Sequence, residues 1–275
     1  MNRHYVFLLT GCVNPNGMAF TAINNTTLRR QQYIDALRYY TKTLKSPIVF
    51  CENTLANISY EEISPSASPQ HLELLFFDGN NYDKSLGKGY GECEIISYAI
   101  QNSRFISQAD YLVKITGRLI ITDISRLIDF HTHLPKGTIQ TLLPTKEKWI
   151  DSRLIISPPS FFVDFFLPRK GQLNDSTHYY FEHLLYNTAL YQNHYPFIPF
   201  VSFPSYHGFS GSIGTRYPEY GKKALLYYKV DASIFNCKYN KYFYIPPLPF
   251  LTLLKLAAIY LYARIYLLFF KATKQ

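Results

Sequence analysis

Cysteine is scarce in this chain: Cys12, Cys51, Cys93 and Cys237 stand far apart in 275 residues. No CxxC pair and no Cys/His spacing joins them, which argues against a structural zinc site and a disulfide framework and fits a reducing compartment. Charge is sparse too, at 17% of residues, and it lacks runs. Lys and Arg are scattered, with pairs at Arg29/Arg30 and Lys222/Lys223, and nothing resembles the basic stripe that tracks a nucleic-acid backbone. The formal net charge of +9 still asks for anionic partners, which leaves nucleotide phosphates or an acidic membrane leaflet. No internal repeat is present. Composition also excludes extensive disorder, because 47% of residues are hydrophobic and Tyr and Phe alone number 25 and 21.

A secretory leader is imitated but not completed. MNRHYVFLLTGC has a charged start, an apolar centre and a lipoprotein-like box ending at Cys12, but its apolar run covers only residues 5–9. A secretory core needs roughly seven to fifteen apolar residues. The stretch is therefore expected to be a first buried strand of a cytoplasmic protein.

What is present is an alternation of strand-like and helix-like segments, the pattern of an α/β fold with a mostly parallel sheet. Residues 4–10 form the first strand, and Asn25, Thr26 or Thr27 caps a helix through LRRQQYIDALRYYTKTL. PIVFCENT and LELLFFDG follow as strands two and three, their polar or glycine ends gathering at the carboxyl edge of the sheet. Gly91 opens a helix running to Asn102, residues 110–121 form a fourth strand, and DISRLIDFHTHLP reads as a helix and turn. WIDSRLIISPPSFFVDFFLP is strand and helix material broken by Pro158 and Pro159, and STHYYFEHLLYNTAL is a helix capped by Ser176.

Character changes after residue 245. PPLPFLTLLKLAAIYLYARIYLLFFKATKQ is a proline stop followed by a long apolar helix. Its stretch 250–270, opening on Phe250 and closing on Phe270, is long enough for a bilayer span but carries Lys255 and Arg264. Each central charge costs a span roughly 2.5–3.5 kcal/mol on insertion scales, so an interfacial helix with snorkelling cations is the first expectation, with a tilted span and packing against the chain's own domain as the alternatives. This divides the chain into a catalytic unit, 1–245, and a membrane-associating helix, 246–275, on the inner face of the cell membrane.

The chemistry is expected between residues 87 and 123. Gly87-Lys88-Gly89-Tyr90-Gly91 directly precedes a helix, so backbone N–H groups at a helix start are open to a diphosphate and Lys88 neutralises it. Glu92 and Glu94 would repel that ligand unless they point away. Next comes YLVKITGRL, in which Lys114, Thr116, Gly117 and Arg118 stand at the end of a strand. Glu52, Asn53 and Asp78 end strands two and three, positioned for a base and ribose, with Thr10 and Gly11 ending strand one beside them. His131 and His133 lack an evident third metal ligand.

The order of strand, Gly-Lys-Gly, helix and polar-ended strand resembles the GT-A fold glycosyltransferases. The ordered set GKGYGE, KITGR, Phe181-Glu182-His183 and Gly208-Phe209-Ser210-Gly211 is similar to a group of bacterial capsule and O-antigen glycosyltransferases over about residues 4–217. The resemblance implies a Rossmann-like catalytic domain that moves a sugar from a nucleotide-sugar donor, a UDP-sugar foremost, to a lipid-linked glycan. Where many GT-A enzymes hold a metal on an acidic DxD motif, this chain has Lys114 and Arg118, which puts metal dependence in doubt; two cations are a physical substitute for the divalent ion. Within the resemblance Glu182 is the candidate general base, with His183, Asp164 and Asp175 as alternatives. Ser210, Gly211 and Arg216 belong to a loop that closes over donor or acceptor. Two other readings stay open: a nucleotidyltransferase on a similar sheet, and a non-enzymatic membrane-associated or lipoprotein module.

Overall fold

The computed structural model describes residues 3–65, 67–143 and 147–221, with isolated positions at 224–225, 227–229, 231–232, 235, 258, 261–262 and 265. The expected C-terminal helix, its Lys255 and Arg264, and Cys237 therefore lie outside the described residues. Among the described residues no helix is long and apolar enough to cross a membrane.

Five strands form one sheet: β1 (Tyr5–Gly11), β2 (Ile48–Glu52), β3 (Leu72–Phe76), β4 (Tyr111–Thr116) and β6 (Leu154–Ser157), in the order β3-β2-β1-β4-β6. The first four are parallel and β6 runs antiparallel against β4. β1 is buried at all seven positions, as a central strand covered on both faces must be. Its side chains alternate between two cores. Tyr5, Phe7 and Leu9 pack with Tyr33, Leu37, Tyr40 and Phe50, whereas Val6 and Leu8 pack with Ile95, Ile96, Leu184 and Leu185. A two-stranded ribbon of β5 (Ile120–Ile121) and β7 (Tyr206–His207) completes the strands.

The first core is covered by α1 (Thr26–Thr43), whose N-terminus is capped by the Asn25 side chain accepting from the Leu28 amide. The short α2 (Tyr60–Ile63) starts with a capping box between Ser59 and Glu62. On the second face lie α3 (Gly87–Asn102) and α5 (Phe181–Tyr191), with α4 (Ile124–Thr132) following β5.

Three boundaries differ from the sequence expectation, each for a packing reason. α3 begins at Gly87, not Gly91, so Gly-Lys-Gly is the helix's first turn and not a loop before it. Its glycines give room: a Cβ on Gly89 would sit 2.9 Å from the Phe181 Cβ, and one on Gly91 would sit 2.3 Å from the Tyr82 hydroxyl. The fourth strand stops at Thr116 because the chain turns there. The Gly117 amide donates to Thr10 O at 2.9 Å, and a Cβ on Gly117 would come within 2.6 Å of the same oxygen. Ser176 does not cap α5; it lies in a 3-10 turn, Asp175–Thr177, and α5 starts at Phe181 with the His183 ring accepting from the Tyr180 amide. Between β6 and that turn the chain winds through a π turn, Phe161–Phe166, and a 3-10 segment, Leu167–Gln172.

Candidate active site

Strand order reverses beside β1: β2 and β3 lie on one side and β4 on the other. In an open α/β sheet the loops leaving such a pair diverge and leave a crevice beyond the carboxyl ends of the strands. A cavity of about 480 Å³ occupies that position, lined by Thr10, Gly11 and Cys12 after β1 and by Lys114, Thr116 and Arg118 at the end of β4. Its volume is in the range of small-molecule and cofactor sites.

Cations dominate the wall, and they differ in how they are matched. Arg118 is 9% exposed. Its Nη1 donates to Gln32 Oε1 at 3.1 Å, its Nε is buried without a partner, and no carboxylate among the described residues lies within ion-pair distance. Arg29, 6% exposed, donates from Nε to Cys12 O at 2.9 Å and from Nη1 to Ile23 O at 3.0 Å, both neutral carbonyls. The Lys88 ammonium donates to Phe20 O at 2.9 Å and Ser212 Oγ at 2.6 Å. Burial holds Lys88 below the usual lysine range against the pull of Asp175, and Arg118 and Arg29 push the same way. Arg118 and Arg29 are thus both close enough to Lys88 to repel it.

Two other wall cations are already balanced. Lys114, 1% exposed, pairs with Glu92 at 2.6 Å. Arg153 grips Asp151 with its Nε and Nη2 and lies over the rings of both Tyr206 and Tyr217, 4.2 and 4.4 Å from their centroids. Both acidic residues of α3 that would repel a phosphate are likewise taken up: Glu92 by Lys114 and Glu94 by Lys170, at 2.6 Å each.

Glu182, in the first turn of α5, also lines the cavity. It accepts from Ser152 Oγ at 2.6 Å, and burial raises its pKa above the usual glutamate range, with Asp151 adding to the rise and Lys114 opposing it. Asp175 reaches the start of α3, where it accepts from the Lys88 amide at 3.3 Å; burial raises its pKa too. Asn53 presents a buried, unpartnered Oδ1 in the wall.

Of the residues singled out in the sequence, the cavity brings together Thr10, Gly11, Asn53, Lys88, Gly89, Lys114, Thr116, Arg118, Glu182, Asp175, Ser210 and Gly211. Others lie elsewhere. The Glu52 carboxylate accepts from the amides of Val13, Thr54 and Ala56 at 2.8, 2.9 and 3.0 Å, so it ties the loops after β1 and β2 together. Asp78 and Asp164 are exposed, Arg216 is exposed on the far strand of its loop opposite Phe209, and His183 has its Nδ1 turned to the Tyr180 amide. Gly117 shapes the turn without lining the cavity. His131 is a core residue: its ring bonds the Tyr5 hydroxyl at 2.8 Å and Thr138 O at 3.2 Å, and burial lowers its pKa to about 4. Among the described residues no group of three His, Cys, Asp or Glu side chains is arranged to hold a metal ion.

Arg29, Ser152 and Arg153 were not foreseen as site residues. Arg29 lies one turn into α1, spaced like any solvent-facing helical arginine, and only the fold of residues 12–24 brings the Cys12 carbonyl to it.

The sheet order, with its antiparallel fifth strand, helices on both faces and a cavity at the reversal point, is a GT-A-like, Rossmann-type α/β fold. No protein-family model and no curated protein matches the chain. Among solved structures it is similar to one described as the apo form of WbbM, a bifunctional glycosyltransferase, with 12% identity, a TM-score of 0.43 and coverage of 84% of this chain and 44% of that one. The chain thus spans less than half the length of that structure.

Proposed function

We propose that the chain is a glycosyltransferase that binds a nucleotide-sugar, a UDP-sugar foremost, and passes the sugar to a glycan hydroxyl, the acceptor being lipid-linked as in capsule or O-antigen assembly. The observation that carries this reading is the set of three cations with no carboxylate among the described residues within ion-pair distance, Arg29, Lys88 and Arg118, converging on a switch-point cavity. Such a set is unfavourable when empty and becomes favourable when a diphosphate supplies the missing charge. The orphaned Nε of Arg118 supplies a further donor for a phosphate oxygen, and the orphaned Oδ1 of Asn53 an acceptor for a base N–H or ribose hydroxyl.

In the reaction the acceptor oxygen attacks the anomeric carbon while the bond from that carbon to the diphosphate oxygen breaks. The departing diphosphate keeps the electron pair, and its growing charge falls on Arg118, Lys88 and Arg29. The acceptor proton passes to Glu182, as inverting transfer requires. Its raised pKa keeps it a competent base nearer neutral pH than an exposed glutamate would be.

Incubation with a panel of nucleotide sugars tests the proposal. One donor is expected to raise the melting temperature and to be hydrolysed slowly without acceptor. If no nucleotide sugar or nucleoside diphosphate shifts melting, the proposal fails.

A further inference from the structure

Lys114 opens the KITGR segment, yet its ammonium is already engaged within the cavity wall. It pairs with Glu92 Oε1 at 2.6 Å and donates to Ser152 O at 2.8 Å, and the Phe181 ring centroid is 5.6 Å away. Glu92 is fixed in turn by the Thr10 hydroxyl, which donates to the same Oε1 at 2.7 Å. Ser152, held through its carbonyl, uses its hydroxyl to donate to Glu182 Oε1 at 2.6 Å. A continuous path therefore runs from the end of β1 through α3, β4 and the segment before β6 to the first turn of α5.

We propose that Lys114 and Glu92 form a positioning pair that clamps the Ser152 peptide and, through its hydroxyl, sets the orientation and ionisation of the Glu182 carboxylate. This rests on the sugar-transfer reading of the same cavity and gives Lys114 a role other than contact with the donor phosphates. A buried lysine 1% exposed and matched by a carboxylate has no charge to spare for a diphosphate; Arg118, 9% exposed and unmatched, does. The groups that face Glu182 are Ser152 and Asp151 before β6, Lys114 on β4 and Lys88 on α3; on its own helix His183 is turned to the Tyr180 amide. Among them Lys114 favours the ionised carboxylate, and Glu92 tempers that effect by neutralising Lys114.

Opposite signs follow for the two members of the pair. In Lys114→Met the Glu182 carboxyl loses a cation that favours its ionised form and is expected to titrate higher by about half a pH unit or more; in Glu92→Gln the cation is freed and the carboxyl is expected to titrate lower. Carbon-13 NMR of labelled glutamate carboxyls, with Glu182→Gln supplying the assignment, reads this in the free protein without substrate. UDP affinity, measured alongside, is expected to stay within about threefold in both variants. Where Lys114→Met does not fold, Ser152→Ala breaks the same path and is expected to raise the Glu182 titration. An unmoved titration, or movement of both variants in one direction, overturns the pair, as does a tenfold or greater loss of UDP affinity in Lys114→Met. If the wild-type protein binds neither UDP nor any other nucleoside diphosphate, the sugar-transfer reading fails by itself, and the carboxyl titration still decides the role of the pair.

Discussion

At the scale of the residue, Glu182 sets stability against the role proposed for it. Its pKa is raised in the folded protein, so its contribution to stability is fully present below the unfolded glutamate pKa and is lost as pH rises through the folded value. Above that folded value the ionised side chain weakens the fold. Glu182→Gln keeps an acceptor for the Ser152 hydroxyl and removes the charge; it is expected to raise the melting temperature increasingly as pH rises, while lowering turnover by about 10²- to 10⁴-fold with donor affinity unchanged. His131 has the opposite linkage. Its pKa falls to about 4, so stability is full above the unfolded histidine value near 6.5 and declines as pH drops from there towards about 4. His131→Asn is expected to melt lower than wild type at pH 7 and to show a flatter melting profile across that window. Singling out His131 and Glu182 from the sequence could not reveal these roles, because both depend on burial by distant segments: Tyr5 and Thr138 around one, Ser152 around the other.

At the scale of the element, the glycines of α3 and of the 208–216 loop are the informative positions. Gly87 has φ +85°, and a Cβ there would fall 1.8 Å from the Asp175 carboxyl carbon. Gly87→Ala is therefore expected to destabilise by more than about 1 kcal/mol, with strained backbone and displacement of the carboxylate that meets the helix start; chemical denaturation measures it. Gly211 presents a milder case, because a Cβ there would lie 2.3 Å from Nη2 of Arg118, the movable end of a long side chain. Gly211→Ala is expected to leave melting nearly unchanged and to raise the donor KM several-fold, since the guanidinium must move aside. The elements themselves were largely legible: apolar runs ending in polar residues marked β1 to β4, and helical spacing marked α1, α3 and α5. The misplaced start of α3 has a packing cause. Gly-Lys-Gly, read locally, is a flexible phosphate loop, but close approach of Phe181 and Tyr82 gives the same glycines a packing use inside a helix.

At the scale of the whole molecule, strand order could not be read from the chain, and strand order places the site. Once β1 lies between β2 and β4, the ends of β1 and β4 must open into a crevice, and residues far apart in sequence, Arg29, Lys88 and Arg118, become neighbours. The KITGR segment was recognisable as a charged strand end; that its two cations part company, Lys114 to Glu92 and Arg118 to the open cavity, required the fold. The central claim is that this cavity binds a nucleoside diphosphate through its unmatched cations. Calorimetric titration of UDP into the wild-type protein and Arg118→Ala tests it most directly. The account predicts one site per chain that weakens with added salt and loses about ten- to a hundredfold in affinity when Arg118 is removed. Absence of UDP binding, or binding that Arg118→Ala leaves untouched, would contradict it.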